Sequence, residues 1–398
     1  MNVSMGHSGK RTYLAAEVIS MILSYHTKQY IKADRLVCKV FCTWATPYLI
    51  DTAFVGSQKE TLDRFEEIAN HNIFSKTVKT MVFTTCSFEE KYETVKDYHG
   101  SLVYSHWRWA TKVPPPPLKQ CEQHWQDYQR LSKEQADLQQ KGEDKIRIRK
   151  ALCSMPNIKH LAISTYKWTA SHPLHKIWLP DEYSCLPSQP SHGFNTMTSA
   201  LLYNGVELSS IMQAEPDKLG GCLQKVLEKT QEIFRPIKKL ALTMENVTAL
   251  KRIENHLLFG TKLEHLEIDL RIWSSISIKD SKMFHVTWPS LRHLKLGLVN
   301  IDYKSFLRFC KNHWKTLQSL ELDRVHLSGG GWENLMKEMK EHLRLTNVRL
   351  ENLEEDGDGL SFIWTTIGPA AHRLLEAELY LQDCGENPFD NSVLVLSD

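Results

Sequence analysis

Apolar positions recur along the second half of the chain in one fixed form. Ile237-x-x-Leu240-x-Leu242 is followed by Leu263-x-x-Leu266-x-Ile268, Leu291-x-x-Leu294-x-Leu296, Leu317-x-x-Leu320-x-Leu322 and Leu345-x-x-Val348-x-Leu350, with starts 26, 28, 26 and 28 residues apart. An earlier copy, Ile158-x-x-Leu161-x-Ile163, fits the same template. Alternating apolar residues define a short strand with one buried face. Between the copies the spacing turns helical: Phe306, Leu307 and Cys310 predict a helix over 303–313, and Leu335, Met336 and Met339 one over 332–342. A strand and a helix of this size cannot bury their apolar sides alone, so successive units must stack. The expectation is an α/β array over residues 151–398, curved, with strands on the concave side and helices outside, in which Leu266, Leu294 and Leu320 are buried on one another.

The periodicity lapses between about 164 and 216, where Pro173, Pro180, Pro187, Pro190 and Pro216 surround Trp168, Trp178 and Phe194. That stretch reads as an irregular insert, at least part of it a long loop of the kind that is usually functional or disordered. Upstream, residues 56–150 read as a connecting region. Pro114–Pro117 is expected to be an exposed polyproline spacer. Cys121, Trp125, Tyr128 and Leu131 then mark an amphipathic helix of about five turns.

Residues 10–55 form a separate helical pattern. Val18, Met21, Ile22 and Tyr25 make an apolar stripe that Ile19 and Leu23 widen to an arc of roughly 200°, twice the ~100° that a surface helix needs. A second cluster, Leu36, Val37, Val40, Phe41, Trp44, Tyr48 and Leu49, follows within one or two helices. About forty residues cannot build a well-buried core by themselves. The surplus apolar surface must meet either the rest of the chain or another protein.

Composition narrows the partners. With 49 basic and 47 acidic residues the net charge is +2, which gives no long-range field to draw in nucleic acid or an anionic membrane. Nine cysteines without a CxxC pair point to reduced thiols in the cytoplasm or nucleus. The apolar stretch around Tyr13–Tyr25 carries Glu17 and is too short to span a bilayer, so neither secretion nor a membrane anchor is expected. His172, His175 and Cys185 approach ligand spacing, yet no second pair completes a zinc set. Gly329–Gly331 occupies a phosphate-loop position between strand and helix without the Gly-Lys-Ser/Thr that would follow, and reads as a turn. No nucleophile elbow or local catalytic signature occurs, so neither a catalytic residue nor a cofactor is expected.

The residues carry two resemblances. The repeated triplets resemble leucine-rich repeats, with one departure. Where such repeats carry Asn or Cys, this chain continues as Leu296-x-x-Val299-x-Ile301 and Leu322-x-x-Val325-x-Leu327, so the repeats are expected to be irregular. The string Leu14-Ala15-Ala16-Glu17-Val18-Ile19 through Ile22-Leu23-Ser24-Tyr25, then Leu36-Val37-Cys38-Lys39 and Phe41, resembles an F-box. The Trp44, Pro47, Tyr48, Leu49 tail and the later Val78–Phe83 strand are similar to those of F-box proteins from filamentous fungi. This resemblance implies three packed helices that bind the Skp adaptor of a Skp–cullin–F-box ubiquitin ligase, with Leu14, Val18, Ile19, Ile22, Leu23, Leu36, Val37 and Cys38 facing it. The chain would then be a substrate receptor and not an enzyme. Its protein substrate would meet the outward strand positions, whose charges alternate: Lys239, then Glu264 and Glu267, Arg292 and Lys295, Glu321, and Arg349. Alternation suits a protein segment better than nucleic acid. Two other readings stay open: a plain interaction scaffold whose F-box-like helices pack internally, and a hydrolase or transferase hidden in 164–216.

Overall fold

A computed structural model describes residues 16–84, 88, 92–109, 117–164, 190–213, 231–244, 247–270, 281–356, 361–364 and 376–382. The first described elements are three short helices, α1 (Ala16–Tyr25), α2 (Lys28–Asp34) and α3 (Lys39–Ala45), closed by a 3₁₀ turn at Thr46–Tyr48. From there on strands and helices alternate, and the chain is mixed α/β.

The strands β1 (Thr52–Val55), β2 (Thr80–Thr84), β3 (His160–Ser164), β4 (Ser210–Gln213), β5 (Lys239–Met244), β6 (His265–Leu270), β7 (His293–Gly297), β9 (Ser319–Asp323) and β11 (Asn347–Glu351) form one open sheet in chain order. Every neighbouring pair is parallel. A smaller sheet joins β8 (Asn300–Asp302), β10 (His326–Ser328) and β12 (Leu353–Asp356) in parallel and ends on the antiparallel β13 (Ser361–Trp364).

The register turns the apolar triplets into rows. Leu240, Leu266, Leu294, Leu320 and Val348 are direct partners on adjacent strands, as are Leu242, Ile268, Leu296, Leu322 and Leu350. All are buried, together with the leading residues Ile237, Leu263, Leu291, Leu317 and Leu345. One main-chain device runs the whole width. The Lys238 carbonyl accepts from both Glu264 and His265, the Glu264 carbonyl from Arg292 and His293, and the Arg292 carbonyl from Gln318 and Ser319, at 2.7–3.0 Å, and the same sharing starts at Asp51 and ends at Gln318. Each unit therefore enters the sheet with the same step.

The turn out of the strand, where a side-chain amide was missing from the pattern, is made by backbone conformation. Leu298, Arg324 and Asn352 follow β7, β9 and β11 with φ of 51°, 53° and 51°. The left-handed conformation costs an L-residue roughly 1–2 kcal/mol. It is offset by bonds to the next unit, from Leu298 N–H to the Asp323 carbonyl (2.9 Å) and from Arg324 N–H to the Glu351 carbonyl (2.8 Å).

The helical layer comprises α4 (Lys59–Asn70), α5 (Phe74–Thr77), α8 (Glu143–Cys153), α9 (Pro190–Tyr203), α10 (Gln231–Phe234), α11 (Val247–Leu257), α12 (Tyr303–Asn312) and α13 (Trp332–His342). Helix α12 buries Phe306, Phe309 and Cys310, and its N-cap Asp302 accepts from Ser305 N–H at 2.9 Å. Side chains staple unit to unit: the Trp288 indole N–H donates to the Leu257 carbonyl (3.1 Å), and Trp288 N–H donates to His313 Nε2 (2.9 Å).

Two stretches differ from expectation. The region 56–150 is not a connector throughout, since β2, α4 and α8 belong to the array, and Arg147 on α8 clamps Asp63 and Glu66 of α4 at 2.5 and 2.6 Å. The triplets Ile50-x-x-Ala53-x-Val55 and Val78-x-x-Met81-x-Phe83 supply its first two strands. Within 164–216, residues 190–213 form α9 and β4. Pro190 sits at the first helical position, where its missing N–H costs nothing. Leu208-x-x-Ile211 keeps two of the three apolar positions, while the third is Gln213. What remains outside the array is a helix pair, α6 (Val95–Trp109) and α7 (Leu118–Lys141), with its own core of Phe88, Tyr92, Tyr98, Cys121, Tyr128 and Leu131. Pro114–Pro116 lie outside the described residues, and Pro117 starts α7 in an extended conformation.

Candidate functional site

The N-terminal module is held by few contacts. Ile19, Leu23, Ile31 and Ala45 are its buried residues, with Phe41, Tyr48 and Leu49 packed against them. His26 Nδ1 meets the Asp34 carboxylate at 2.7 Å across the α1–α2 corner. Ser20 and Tyr48 share a hydroxyl hydrogen bond. Lys28 ties α2 to the first strand by donating to the Tyr48 carbonyl (2.7 Å) and pairing with Asp51 (2.9 Å). Burial pushes the Asp51 carboxyl up, but the hydrogen bond and charge of Lys28 outweigh it and hold the group below its ordinary value.

The expected adaptor-facing residues divide. Ile19 and Leu23 point into the module and are not available to a partner while it stays folded. Val18 is half-buried. Ile22, Leu36, Val37 and Cys38 are exposed, Leu36 to 86% and Val37 to 68%. Leu14 lies outside the described residues. Met21, Tyr25 (84% exposed), Tyr30, Val40 and Trp44 join the exposed set. The apolar arc on α1 already included Met21 and Tyr25, and the second cluster included Val40 and Trp44. What the wheel could not tell was which part of the arc the short α2 and α3 would cover.

The solvent-facing positions of the large sheet form a different surface. Lys239 pairs with Glu267 (2.8 Å), Glu264 with Lys238 (2.8 Å), Lys295 with Glu321 (3.7 Å) and Arg349 with Glu351 (2.5 Å). Thus six of the seven charges expected to meet a substrate already have a partner on their own or the adjacent strand; Arg292 makes no ion pair among the described residues. The Lys238 hydrogen bond holds the Glu264 carboxyl below its ordinary value. Beside the charges runs a polar lane in which Asn347 donates to Ser319 Oγ (3.0 Å), Ser319 meets His293 Nδ1 (2.8 Å), and the His293 and His265 rings lie 5.4 Å apart. Burial lowers the His293 pKa despite Glu321 and Glu267 nearby.

The remaining chemistry resolves locally. His172, His175 and Cys185 lie outside the described residues. Among the described residues Glu338, Glu341 and His342 could converge on an ion, but they sit on a solvated helix face and Glu338 already pairs with Lys311 at 3.0 Å. In the glycine run, Gly329 has φ 74°, and a Cβ on Gly330 would lie 2.5 Å from the Tyr303 ring. The first amide of α13, Trp332 N–H, donates to the Glu355 carboxylate at 2.5 Å. The helix start that a phosphate would need is filled by the chain's own anion. No helix among the described residues is long and apolar enough to cross a membrane.

Comparison with protein-family models gives no match for this chain, and comparison with curated proteins gives none.

Proposed function

We propose that the chain is the substrate-recognition subunit of a Skp–cullin–F-box ubiquitin ligase. In this reading residues 10–55 are an F-box that binds the Skp adaptor and through it a cullin. The strand–helix array is a leucine-rich-repeat solenoid that binds a protein substrate in the cytoplasm or nucleus, and ubiquitin transfer is left to other subunits.

One observation carries the proposal. Among the described residues, eighteen large apolar side chains are exposed, and eight of them fall within Met21–Trp44. Concentrated apolar exposure of this kind marks an interaction surface more often than scattered exposure does. Covering a Leu, Val or Ile side chain contributes about 1.5–3 kcal/mol. Several together supply the scale of a micromolar to nanomolar complex, roughly 8–12 kcal/mol. The competing reading, a scaffold whose helices pack internally, accounts for Ile19 and Leu23 but leaves these eight side chains without a role.

The test is Ile22→Asp in the full chain, with folding followed by circular dichroism and Skp-adaptor binding by co-purification. Ile22 is exposed, so the fold should survive while adaptor recovery is lost, because a partner covering the site would bury an unpaired charge. Undiminished recovery with a folded protein would refute the assignment.

A further inference from the structure

The large sheet has two ends, and the chain treats them differently. In a parallel sheet, alternate residues of an edge strand turn their backbone groups outward. On β11 the Asn347 amide bonds inward to Gln318, so Val348 and Leu350 face out. Both are engaged by side chains from residues 376–382: the Glu378 carboxylate accepts from Leu350 N–H at 2.5 Å, and the Gln382 amide donates to the Val348 carbonyl at 3.2 Å. Ala377 and Leu381 of the same segment are buried against the array. On β1 the Asp51 carbonyl serves the next strand, so Thr52 and Phe54 face out. Their backbones make no outward hydrogen bond among the described residues, and the Phe54 side chain is 43% exposed.

These two edges are complementary. Each strand of the sheet offers its second and fourth positions to the first and third of the next. Val348 and Leu350 would therefore meet Thr52 and Phe54 of another β1, while the buried rows would continue from Val348 to Ala53 and from Leu350 to Val55. We infer that the segment 376–382 is an edge cap that keeps β11 from pairing with β1 of a second copy of this chain. Such a contact is head-to-tail, so each copy that joins leaves a free edge for the next, and the chain of copies ends only if its rotation closes into a ring. The cap achieves with two side chains what a further strand would otherwise do.

The experiment uses the full chain carrying Glu378→Ala with Gln382→Ala, followed by sedimentation over a wide concentration range and by hydrogen exchange at Leu350. The expected result is faster Leu350 exchange and a mass that rises with concentration, unlike the wild type. Adding Phe54→Pro, which removes the outward N–H of β1 where an edge strand tolerates it, should restore the wild-type mass. The inference is overturned if the uncapped protein keeps the wild-type mass. Association that persists equally with Phe54→Pro would also overturn it, by showing mere adhesion of exposed core. Should the double variant fail to fold, Gln382→Ala alone leaves the buried contacts in place. It must then show a smaller shift of the same kind, and no shift again counts against the cap.

Discussion

The three-helix module and the strand–helix array use similar apolar residues and end in opposite states of burial. In the array, Leu266, Leu294 and Leu320 are 0% exposed because each meets its counterpart on both neighbouring strands. In the module, four residues close into a core while Tyr25, Leu36 and Val37 stand in water. The difference lies in neighbours and not in hydrophobicity. A repeated unit finds its partner in the next unit of the same chain, whereas three short helices run out of partners after the first layer. Incomplete burial in the module thus follows from its size, and it is what the proposed adaptor contact would complete.

The largest effect should come from breaking a row of the array. Leu294→Ala leaves a cavity between two buried neighbours and should lower unfolding stability by about 2–5 kcal/mol. Ile22→Ala on the module's open side should change it by no more than about 0.5 kcal/mol. Denaturant melts of the two variants measure the contrast directly, and equal costs would erase it.

A second, smaller effect is confined to the array and depends on pH. His313 is buried between units, with Nδ1–H donating to the Phe309 carbonyl (2.8 Å) and Nε2 accepting from Trp288 N–H (2.9 Å). That arrangement needs a neutral ring, and burial lowers its pKa below the ordinary 6.5. Because the unfolded chain takes up the proton first, the contribution is fully present above about pH 6.5 and is lost as pH falls through the lowered folded value. His293 acts in the same direction. Thermal melts at pH 7.5 and 5.5 should show a wild-type loss that His313→Gln reduces without abolishing. An unchanged loss would remove His313 from the account.

Much of the array was legible because its signal repeats. The triplet at 263, 291 and 317 fixed strand, register and buried row together, and the helices over 303–312 and 332–342 followed from their spacing. The triplets at Ile50, Val78 and Leu208 were harder to see. Ala53 and Gln213 weaken the apolar signal, and α6 and α7 separate the second strand from the third. The module's open side was legible only as a surplus. A helical wheel gives the width of an apolar arc, but which third of it becomes core depends on where α2 and α3 come to rest, a tertiary fact. The charged lane was legible as alternation. That the alternation is satisfied within the sheet depends on register between strands, which one strand's sequence does not contain.

The smallest effect belongs to that lane and bears on what the array can offer a substrate. The Lys295–Glu321 pair is partly solvent-exposed, so Lys295→Glu should cost at most about 1 kcal/mol of stability. Exchanging the two charges, Lys295→Glu with Glu321→Lys, should restore only part of it, since the reversed pair meets like charges at Glu267 and Arg349, its direct partners on the outer neighbouring strands. Substrate capture should respond differently. On the proposed reading, a substrate contacting Lys295 must compete with Glu321, whereas Arg292 makes no ion pair among the described residues that a partner would have to displace. Arg292→Glu should therefore weaken recovery of a substrate more than Lys295→Glu does, with stability and adaptor binding unchanged in both. Equal recovery from the two variants and the wild type would show that this lane neutralises itself, and would move substrate recognition to another face of the array.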